Sequence, residues 1–363
     1  MKVVRATAEA FRSLQGLTLE PGPGLNLLTG PNGSGKTNLV ESIYFALTSK
    51  SFRTSDRRDL IPFGEQVGRS RCNVEGDDGV NHEFFSSVSR TEGSRHLLDG
   101  AGVSLAEARS HRPLILVFAP DRLETIKGPP AVRRAHLDAF VAARWPRRAE
   151  ARSEFGRTLA QRNALLSRIA AGQSSADQLG AWDQSFSETG AGLVQARSEA
   201  VTELADRFEE LAAGLGLEGG TELSYRTATL DGAQAIAAGL SERREADLKA
   251  GRTTWGPQQD ELRLALDGRQ LRRFGSQGQQ RIGLLALLLA ERQALRDSGL
   301  PLPLLILDDA LSELDSGRRG NLLSTVSDGG QVLVTAAEEE LVPTDQVAEV
   351  FEVPVLIGQG RPE

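Results

Sequence analysis

Cysteine is nearly absent from this chain of 363 residues, in which Cys72 stands alone. A single cysteine excludes an internal disulfide framework and indicates a reducing compartment. Long apolar runs are also missing, since none approaches the ~20 residues that a helix needs to cross a bilayer. The first residues already follow a strand pattern rather than that of a targeting segment. We therefore expect a cytoplasmic protein without a membrane span, and its length suffices for two lobes.

Lysine is scarce as well, with five residues in an arginine-rich chain. One of them, Lys36, lies in the segment 30–37, which reads GPNGSGKT. This segment fits the phosphate-binding pattern G-x-x-x-x-G-K-[ST] without a mismatch. A lysine that stands where the pattern demands one, in a chain that otherwise avoids lysine, indicates a functional role.

The residues around this motif predict the strand, loop and helix that a phosphate-binding loop requires. Residues 25–28 form a short apolar run typical of a buried strand, and an apolar stripe at helical spacing follows Thr37. The glycines would let backbone N–H groups converge on phosphate oxygens at a helix N-terminus. Lys36 would reach the β and γ phosphates, and the Thr37 hydroxyl would ligate Mg²⁺. The predicted nucleotide-binding residues are Gly30, Pro31, Asn32, Gly33, Ser34, Gly35, Lys36, Thr37 and Asn38. The alternative is a chance glycine-rich turn.

A second acidic motif lies near the other end of the chain. Residues 304–307 are four large aliphatic residues, followed by Asp308 and Asp309. Such a run fits a strand buried on both faces of a parallel sheet, with its carboxyl end at the ligand edge. We predict that Asp308 holds Mg²⁺ and that Asp309 polarises the attacking water, which makes these two and Lys36 the catalytic residues. The alternative is a solvated strand end.

A glycine-containing loop precedes another predicted apolar helix. Ser276, Gln277, Gly278 and Gln279 come just before a leucine-rich stretch, so hydroxyl, loop and helix N-terminus could form a second phosphate-binding surface. The two helix N-termini, after Gly35 and after Ser276, lie far apart in the sequence, and one nucleotide cannot easily reach both within a single domain. A two-fold dimer, in which each loop closes on the other chain's γ-phosphate, would solve this. The alternative is an ordinary capped core helix.

The chain divides into three segments by composition. Residues 1–120 read as strands and turns around the phosphate-binding loop, with hairpin signals at 75–79 and 98–102. Residues 121–249 are mostly rich in Ala, Arg, Glu and Leu, with an apolar face at helical spacing and a turn at 171–175. Residues 250–363 carry the loop at Ser276 and the acidic motif. We predict an α/β ATPase head of two lobes with an inserted helical arm, far too short for a chromosome-condensation protein.

Charge is unevenly distributed although the formal net charge is −7. Between positions 129 and 168 there are nine arginines and three acidic residues, and a second basic cluster lies at 53–58. Clustered arginines can neutralise DNA phosphates without reading sequence, and no aromatic platform is interleaved with them, which favours duplex DNA. The candidate DNA contacts are Arg53, Arg57, Arg133, Arg134, Arg144, Arg147, Arg148 and Arg152. The alternative is a solvated helix face.

Together these motifs resemble the ABC-type ATPase heads of the SMC class. Finer landmarks are similar to the RecF family of bacterial recombination mediators, namely FRSL at 11–14, SFRT at 51–54, FAPD at 118–121 and SELD at 312–315. The resemblance implies a weak Mg²⁺-dependent ATPase that forms an ATP-dependent homodimer on DNA. It also implies roles in replication, recombination, repair and the SOS response. The expected DNA is duplex, gapped or at junctions with single strands, and RecR, RecO and indirectly RecA are the implied partners. Ser312 and Asp315 would form the D-loop, with Ser312 as a possible helix cap.

This chain departs from the wider ABC pattern at several positions. Asp309 stands where most such ATPases have glutamate, and Thr335 begins the segment that replaces the usual switch histidine. No secure Q-loop glutamine is present, with Asp121 near its expected place and Gln66 a poor substitute. A transporter ATPase subunit, an SMC-like chromosome tether and a small-molecule P-loop kinase remain the alternative functions.

Overall fold

The structure, a computed structural model, describes residues 1–105, 107–120, 123–229, 232–312, 314–327, 329–342 and 347–353. The chain forms two compact units. The first combines both ends of the chain, Met1–Leu123 and Gly299–Glu363, and the second is the middle, Glu124–Ser298. The first unit contains two sheets and the second is mainly helical, which agrees with the predicted α/β fold and helical insert.

An antiparallel sheet forms one layer of the first unit, with the strand order β2-β1-β4-β5-β6-β7. Its strands are β1 (Lys2–Phe11), β2 (Leu14–Leu19), β4 (Val67–Glu75), β5 (Asn81–Ser89), β6 (Gly93–Leu98) and β7 (Ala101–Gly102). The turn between β6 and β7 has left-handed φ values of 52° at Asp99 and 80° at Gly100. Aspartate and glycine tolerate this conformation, so both predicted hairpins form where their turn residues indicate.

A parallel sheet forms the other layer, with the order β14-β3-β13-β12-β8. Its strands are β3 (Leu25–Thr29), β8 (Ile115–Phe118), β12 (Leu304–Asp308), β13 (Val332–Thr335) and β14 (Glu349–Glu352). Every residue of β3, β12 and β13 is buried, which accounts for their continuous aliphatic runs. The predicted strands at 25–28 and 304–307 are confirmed, β13 lies beside them as a third buried strand, and the carboxyl ends of all three meet at one edge.

The helix α1 (Lys36–Thr48) lies between these two sheets. It contacts β1, β4 and β5 on one side and β12 and β13 on the other. Phe45 of α1 packs against Phe11 of β1 with ring centroids 5.5 Å apart, and the same core includes Leu28 and Ile306. Because α1 follows β3 after a short loop, its N-terminus begins at the carboxyl edge of the parallel sheet. The first unit also contains α10 (Ser316–Ser327).

The second unit is built around one helix of 36 residues, α5 (Leu179–Gly214). The other helices are α2 (Glu124–Lys127), α3 (Pro130–Arg144), α4 (Ala151–Ala170), α6 (Gly232–Glu242), α7 (Arg244–Ala250), α8 (Leu271–Phe274) and α9 (Gln277–Asp297). A small sheet has the order β11-β10-β9, formed by β9 (Thr221–Arg226), β10 (Glu261–Leu266) and β11 (Arg269–Gln270). α5 contacts α3, α4, α6, α9 and β9.

The predicted helical hairpin is confirmed by α4 and α5. α4 ends at Ala170, α5 begins at Leu179, and the turn predicted at 171–175 lies between them. Phe186, Leu193 and Phe208 of the predicted apolar stripe are buried. Of the helices in the described ranges, none has the length and apolar character of a transmembrane span.

The contacts divide the chain differently from the composition at one boundary. The segment 250–298 belongs to the second unit, because α9 packs against α5 and β10 pairs with β9. By composition, this segment is predicted to belong with the acidic motif in one lobe over 250–363. Contacts alone do not test which segments act together in nucleotide chemistry, so an ATPase lobe over 250–363 stays a prediction.

One predicted helix start is wrong. α10 begins at Ser316 rather than at Ser312. The cap is supplied by Asp315, whose Oδ1 accepts a hydrogen bond of 3.0 Å from the backbone N–H of Arg318. Ser312 instead donates its hydroxyl to the carbonyl of Asp309 at 3.1 Å and stabilises the loop after β12. Two residues singled out from sequence, Asp121 and Glu313, lie outside the described ranges.

Candidate nucleotide-binding site

The loop between β3 and α1 needs glycine for steric reasons. Gly30 has φ 142°, and a Cβ there would lie 2.7 Å from the carbonyl oxygen of Val353. Gly35, which precedes α1, has φ 105°, and a Cβ there would lie 2.9 Å from Leu14. Larger residues would therefore strain the backbone and displace its neighbours. The backbone is thus shaped as the phosphate-binding pattern predicts.

The side chains of this loop face inward in a manner suited to an anion. Lys36 Nζ donates to the carbonyl oxygens of Gly30 at 2.5 Å and Pro31 at 3.0 Å, so the ammonium group folds over the loop. Partial burial lowers the pKa of Lys36, and the nearby charges of Asp309 and Asp308 oppose that change. Ser34 is 2% exposed, and within the described ranges its hydroxyl has no hydrogen-bond partner. A buried hydroxyl and a partly buried ammonium group are suitable donors for phosphate oxygens.

The two predicted Mg²⁺ ligands meet at the edge of the parallel sheet. Thr37 Oγ1 donates to Asp308 Oδ1 at 2.8 Å, although the two residues lie far apart in sequence. A third group, Thr335 Oγ1, donates to the same carboxylate oxygen at 2.8 Å. Burial is the main cause of the raised pKa of Asp308, and Asp309 adds to it, while the two hydroxyl donors and Arg53 lower it. The carboxylate is held in position by two hydroxyl groups, one from helix α1 and one from strand β13.

Asp309 differs from Asp308 in exposure and backbone conformation. Its φ of 50° is left-handed, and its side chain is exposed. The backbone N–H of Asp309 donates to Thr335 Oγ1 at 2.9 Å. The Thr335 hydroxyl therefore contacts both aspartates, because it donates to the carboxylate of Asp308 and accepts from the backbone N–H of Asp309. In the sequence this position differs from related ATPases only by the missing switch histidine, which gives no sign of these contacts.

A buried glutamate behind the loop was also overlooked. Glu41 of α1 is fully buried and pairs with Arg12, whose Nε and Nη2 donate to its two oxygens at 2.5 and 2.9 Å. Arg53 Nη1 donates to Asn38 Oδ1 at 2.9 Å and to Glu41 at 3.3 Å. Asn38 in turn donates to Ser13 at 2.8 Å. A glutamate in the middle of an apolar helical pattern was the signal, because a buried carboxylate requires a cationic partner.

The loop at Ser276 forms a capping box in the second unit. Ser276 Oγ accepts the backbone N–H of Gln279 at 3.2 Å, and Gln279 Oε1 accepts the backbone N–H of Ser276 at 2.8 Å. Ser276, Gln277 and Gly278 are all exposed. A hydroxyl that accepts one hydrogen bond still has its own hydrogen to donate. The capped helix and the phosphate-binding surface, posed as alternatives from sequence, are therefore compatible.

One candidate DNA contact is corrected by its burial. Arg133 is 2% exposed, and its guanidinium group donates to both oxygens of Glu261, at 2.6 and 3.1 Å. The remaining donor, Nη1, bonds the carbonyls of Ile126 and Gly128 at 3.0 and 2.8 Å. All three guanidinium nitrogens thus donate hydrogen bonds inside the second unit. Its burial and these bonds favour a structural role for Arg133 and argue against a direct contact with DNA.

Several of the other arginines are partly neutralised by acids from distant segments. Arg144 pairs with Glu203 at 2.9 Å and Arg148 with Glu199, both acids lying on α5. Arg134 donates to the carbonyl of Asp260, and Arg152, which is 60% exposed, pairs with Asp138 at 3.5 Å. The charge count along 129–168 could not include the acids of α5. The positive charge of this region is consequently weaker than the sequence indicated.

The least constrained candidate in the second unit is Arg147. It is exposed, and no ion pair is seen for it within the described ranges. In the first unit, Arg57 is half-buried in a 3₁₀ turn (Arg57–Leu60), and Arg53 is 42% exposed although it is tied to Glu41. These residues remain DNA candidates by position and charge.

Comparison with known proteins identifies the family. The chain matches the RecF/RecN/SMC N terminal domain over residues 2–354. It is similar to the DNA replication and repair protein RecF of Moorella thermoacetica, at 35% identity over 340 residues that cover 92% of this chain and 89% of the relative. The RecF protein of Acidothermus cellulolyticus is 33% identical over 356 residues, covering 94% and 95%.

Solved structures agree with this result. The recombination mediator protein RecF with ATP, from the RecFOR pathway, is similar with a TM-score of 0.79 at 27% identity, covering 94% of this chain and 93% of the other. An Smc head bound to the C-winged helix domain of ScpA, at 15% identity and a TM-score of 0.58 over 96% and 93% of the two chains, shows the shared fold alone. This chain is therefore a member of the RecF family, within the wider RecF/RecN/SMC N-terminal domain family.

Proposed function

We propose that this chain is an ATP-binding protein of recombinational repair. In this proposal it dimerises on ATP, encloses DNA between the two copies and releases it after slow hydrolysis. The observation that carries the proposal is the 2.8 Å hydrogen bond between Thr37 and Asp308. It joins the phosphate-binding loop to the acidic strand end, which is the pairing that P-loop ATPases use. The family membership of the whole chain supports the same function.

The donor set of this site suits Mg²⁺. A hydroxyl and one carboxylate, both oxygen donors, lie beside a loop shaped for phosphate, and Mg²⁺ is usually bound by one or two carboxylates together with substrate phosphates and water. Thr37 Oγ1 and Asp308 Oδ1 would hold the ion. When bound, Mg²⁺ neutralises charge on the β and γ phosphates. Lys36 would leave its contacts with the Gly30 and Pro31 carbonyls and pair with phosphate oxygens instead.

Asp309 is our candidate for orienting the attacking water. Its carboxylate is exposed next to the buried Asp308, and its left-handed backbone is fixed by the bond to Thr335. Aspartate is shorter than the glutamate that most related ATPases have at this place, which agrees with a slow turnover. Proton transfer from the water to this carboxylate would be general-base catalysis.

The loop at Ser276 would act on a nucleotide held by a second copy. The exposed Ser276, Gln277 and Gly278 precede the N-terminus of α9, where backbone N–H groups and the helix dipole favour negative charge. Each copy would then supply a phosphate-binding loop to one site and a capping loop to the other. This arrangement makes dimerisation depend on ATP, because the triphosphate is part of the contact.

DNA would be bound through arginines that reach the surface, with the exposed Arg53, Arg147 and Arg152 and the half-buried Arg57 as the best placed of the predicted set. These contacts neutralise phosphates and carry no sequence preference. On the strength of the resemblance we further propose action in the cytoplasm at gaps and duplex–single-strand junctions. RecO and RecR are the proposed partners, and RecA loading is the proposed outcome. The structures of RecF proteins similar to this chain belong to the RecFOR pathway.

The proposal is tested by measuring ATP hydrolysis with and without duplex DNA, at several salt concentrations. We expect Mg²⁺-dependent hydrolysis that duplex DNA stimulates, and we expect a rise from 50 to about 200 mM salt to remove most of the stimulation. A transporter subunit or a small-molecule kinase would show no response to DNA. Hydrolysis that is unaffected by DNA at low salt would contradict the proposal.

A further inference from the structure

An exposed aromatic side chain adjoins the loop at Ser276. Phe274, the last residue of α8, is 67% exposed. Most phenylalanines in a folded protein bury their rings, because exposed apolar surface is unfavourable in water. Phe274 lies two positions before Ser276, and Ser276, Gln277 and Gly278 are exposed as well. The ring therefore belongs to the same exposed surface as the capping loop.

A recess of about 440 Å³ opens beside this ring. Its walls come from the β10–β11 hairpin, including Leu266 and Arg269, and from α8 and the loop, including Leu271 and Gln279. Its lining mixes the apolar Leu266 and Leu271 with polar residues, which include Gln279 of the capping box. All of these residues belong to the second unit. The recess and the loop thus form a continuous surface that combines apolar and polar groups.

The backbone segment that carries the ring is held in place. Gln280 is 4% exposed, and its Nε2 donates to the carbonyls of Leu271 and Gly275 at 2.9 and 3.1 Å. The backbone N–H of Gly275 also donates to Leu271 at 3.0 Å, and a Cβ at Gly275 would lie 2.8 Å from that carbonyl oxygen. These contacts fix α8 against the start of α9. Phe274 is therefore presented at a set distance from Ser276, which lowers the entropy cost of binding through it.

The charges around the ring suit a partner that carries phosphate. Arg269 and Arg273 are exposed on either side of Leu271, and the acid that also lines the recess, Asp267, accepts the backbone N–H of Gly220. The two exposed arginines outnumber the acid of the recess lining, and cations of this kind suit a surface that holds a nucleoside triphosphate.

We propose that Phe274 and the recess contact a second copy of this chain, on the face where that copy holds its ATP. Residues two positions apart have Cα atoms at most about 7.6 Å apart. A second copy that brings its bound γ-phosphate to Ser276 therefore also approaches Phe274. Phe274 is thus a further residue of the composite nucleotide site, acting across the dimer interface. The inference rests on the proposed ATP-dependent dimer.

The test is light scattering on the purified full-length chain with Mg²⁺-ATP over a range of protein concentrations. For Phe274→Ala we expect the concentration at half-dimerisation to rise roughly tenfold or more, because a two-fold interface loses two aromatic anchors. ATP affinity of the monomer should stay unchanged. Phe274→Leu, which keeps apolar bulk, should lose less. The matched control is Phe63→Ala, since Phe63 is fully exposed in a turn of the first unit and should not affect the dimer.

A mixing experiment separates action across the interface from action within one chain. When the Phe274→Ala protein is mixed with the Lys36→Ala protein, a mixed dimer can form. One of its two sites joins the intact phosphate-binding loop of the first protein to the intact Phe274 surface of the second. The mixture should therefore contain more dimer than either variant alone. No gain on mixing would overturn the proposal, as would wild-type dimerisation of Phe274→Ala or an equal loss in Phe63→Ala. A wild-type chain that stays monomeric with ATP would overturn the proposed dimer itself and this inference with it.

Discussion

The phosphate-binding edge of the first unit and the capping loop of the second are built in opposite ways. The first gathers Thr37, Asp308 and Thr335 from three distant segments around one carboxylate. The second is local, since Ser276, Gln279 and Gln280 bond almost entirely within their own short stretch. A site assembled by tertiary structure already has its side chains in contact, whereas a local loop with exposed donors needs something brought to it. The difference supports a division of one active centre between two copies.

The largest effect should come from removing the ammonium group on the first side. Lys36→Ala is expected to lower ATP affinity by about 100-fold or more, because a charge-assisted contact with the β and γ phosphates is lost. Equilibrium binding of ATP to the monomer measures this. The exposed Lys50→Ala serves as a control of equal charge change, with near wild-type affinity expected. Retained affinity in Lys36→Ala would place the nucleotide elsewhere.

The second side should show the opposite separation of binding and assembly. Ser276→Arg puts a long cation into the exposed loop and is expected to abolish the ATP-dependent dimer while the monomer binds ATP normally. Light scattering and ATP binding on the same preparation measure the two properties. Gln277→Ala, at the next exposed position, is a milder variant that should retain most of the dimer. A Ser276→Arg protein that still dimerises on ATP would remove this loop from the interface.

How far each part could be predicted from sequence follows the same contrast. The strand, loop and helix around residues 30–37, the strand before Asp308 and the helix after the loop at Ser276 are local patterns, and all three form as predicted. Thr335 and Glu41 were missed because their roles depend on which strands and loops lie beside them. A threonine at the end of a strand has no distinctive signature until β13 is seen next to β12.

Charge was the least reliable signal for a related reason. The arginines of 129–168 look like a basic surface when only their own segment is counted. The fold places Glu199 and Glu203 of α5 against them and buries Arg133 against Glu261. Helix periodicity predicts which residues share a face of one helix, but it does not predict which helix packs there.

A moderate effect is expected from the residue that links the two aspartates. Thr335→Val removes the hydroxyl that contacts both Asp308 Oδ1 and the Asp309 N–H, and it leaves a similar volume. We expect kcat for ATP hydrolysis to fall roughly tenfold, since positioning groups of this kind usually contribute one or two orders of magnitude. In Asp309→Asn, kcat for ATP hydrolysis should fall further, and the ATP-bound dimer should accumulate.

Thr335→Ser restores the hydroxyl and is the matched control, with most of the activity expected to return. If Thr335→Val and Thr335→Ser hydrolyse ATP equally well, the hydrogen bonds do not position the aspartates.

The smallest effect should distinguish surface arginines from structural ones. Arg147→Ala is expected to weaken duplex DNA binding by a few-fold and to lower the slope of log affinity against log salt by about one, as expected for one lost phosphate contact. Its melting temperature should match that of the wild type, because the side chain is exposed and no ion pair is seen for it in the described part of the chain.

Arg133→Ala should do the reverse. It leaves Glu261 without its bidentate partner inside the second unit, which typically costs about 3–5 kcal/mol of stability, yet the salt slope of the folded fraction should not change. Fluorescence anisotropy with labelled duplex over a salt series, together with thermal unfolding, measures both properties. An unchanged slope in Arg147→Ala would exclude Arg147 from the DNA interface, and a reduced slope in Arg133→Ala would mean that this buried guanidinium group becomes exposed when DNA binds.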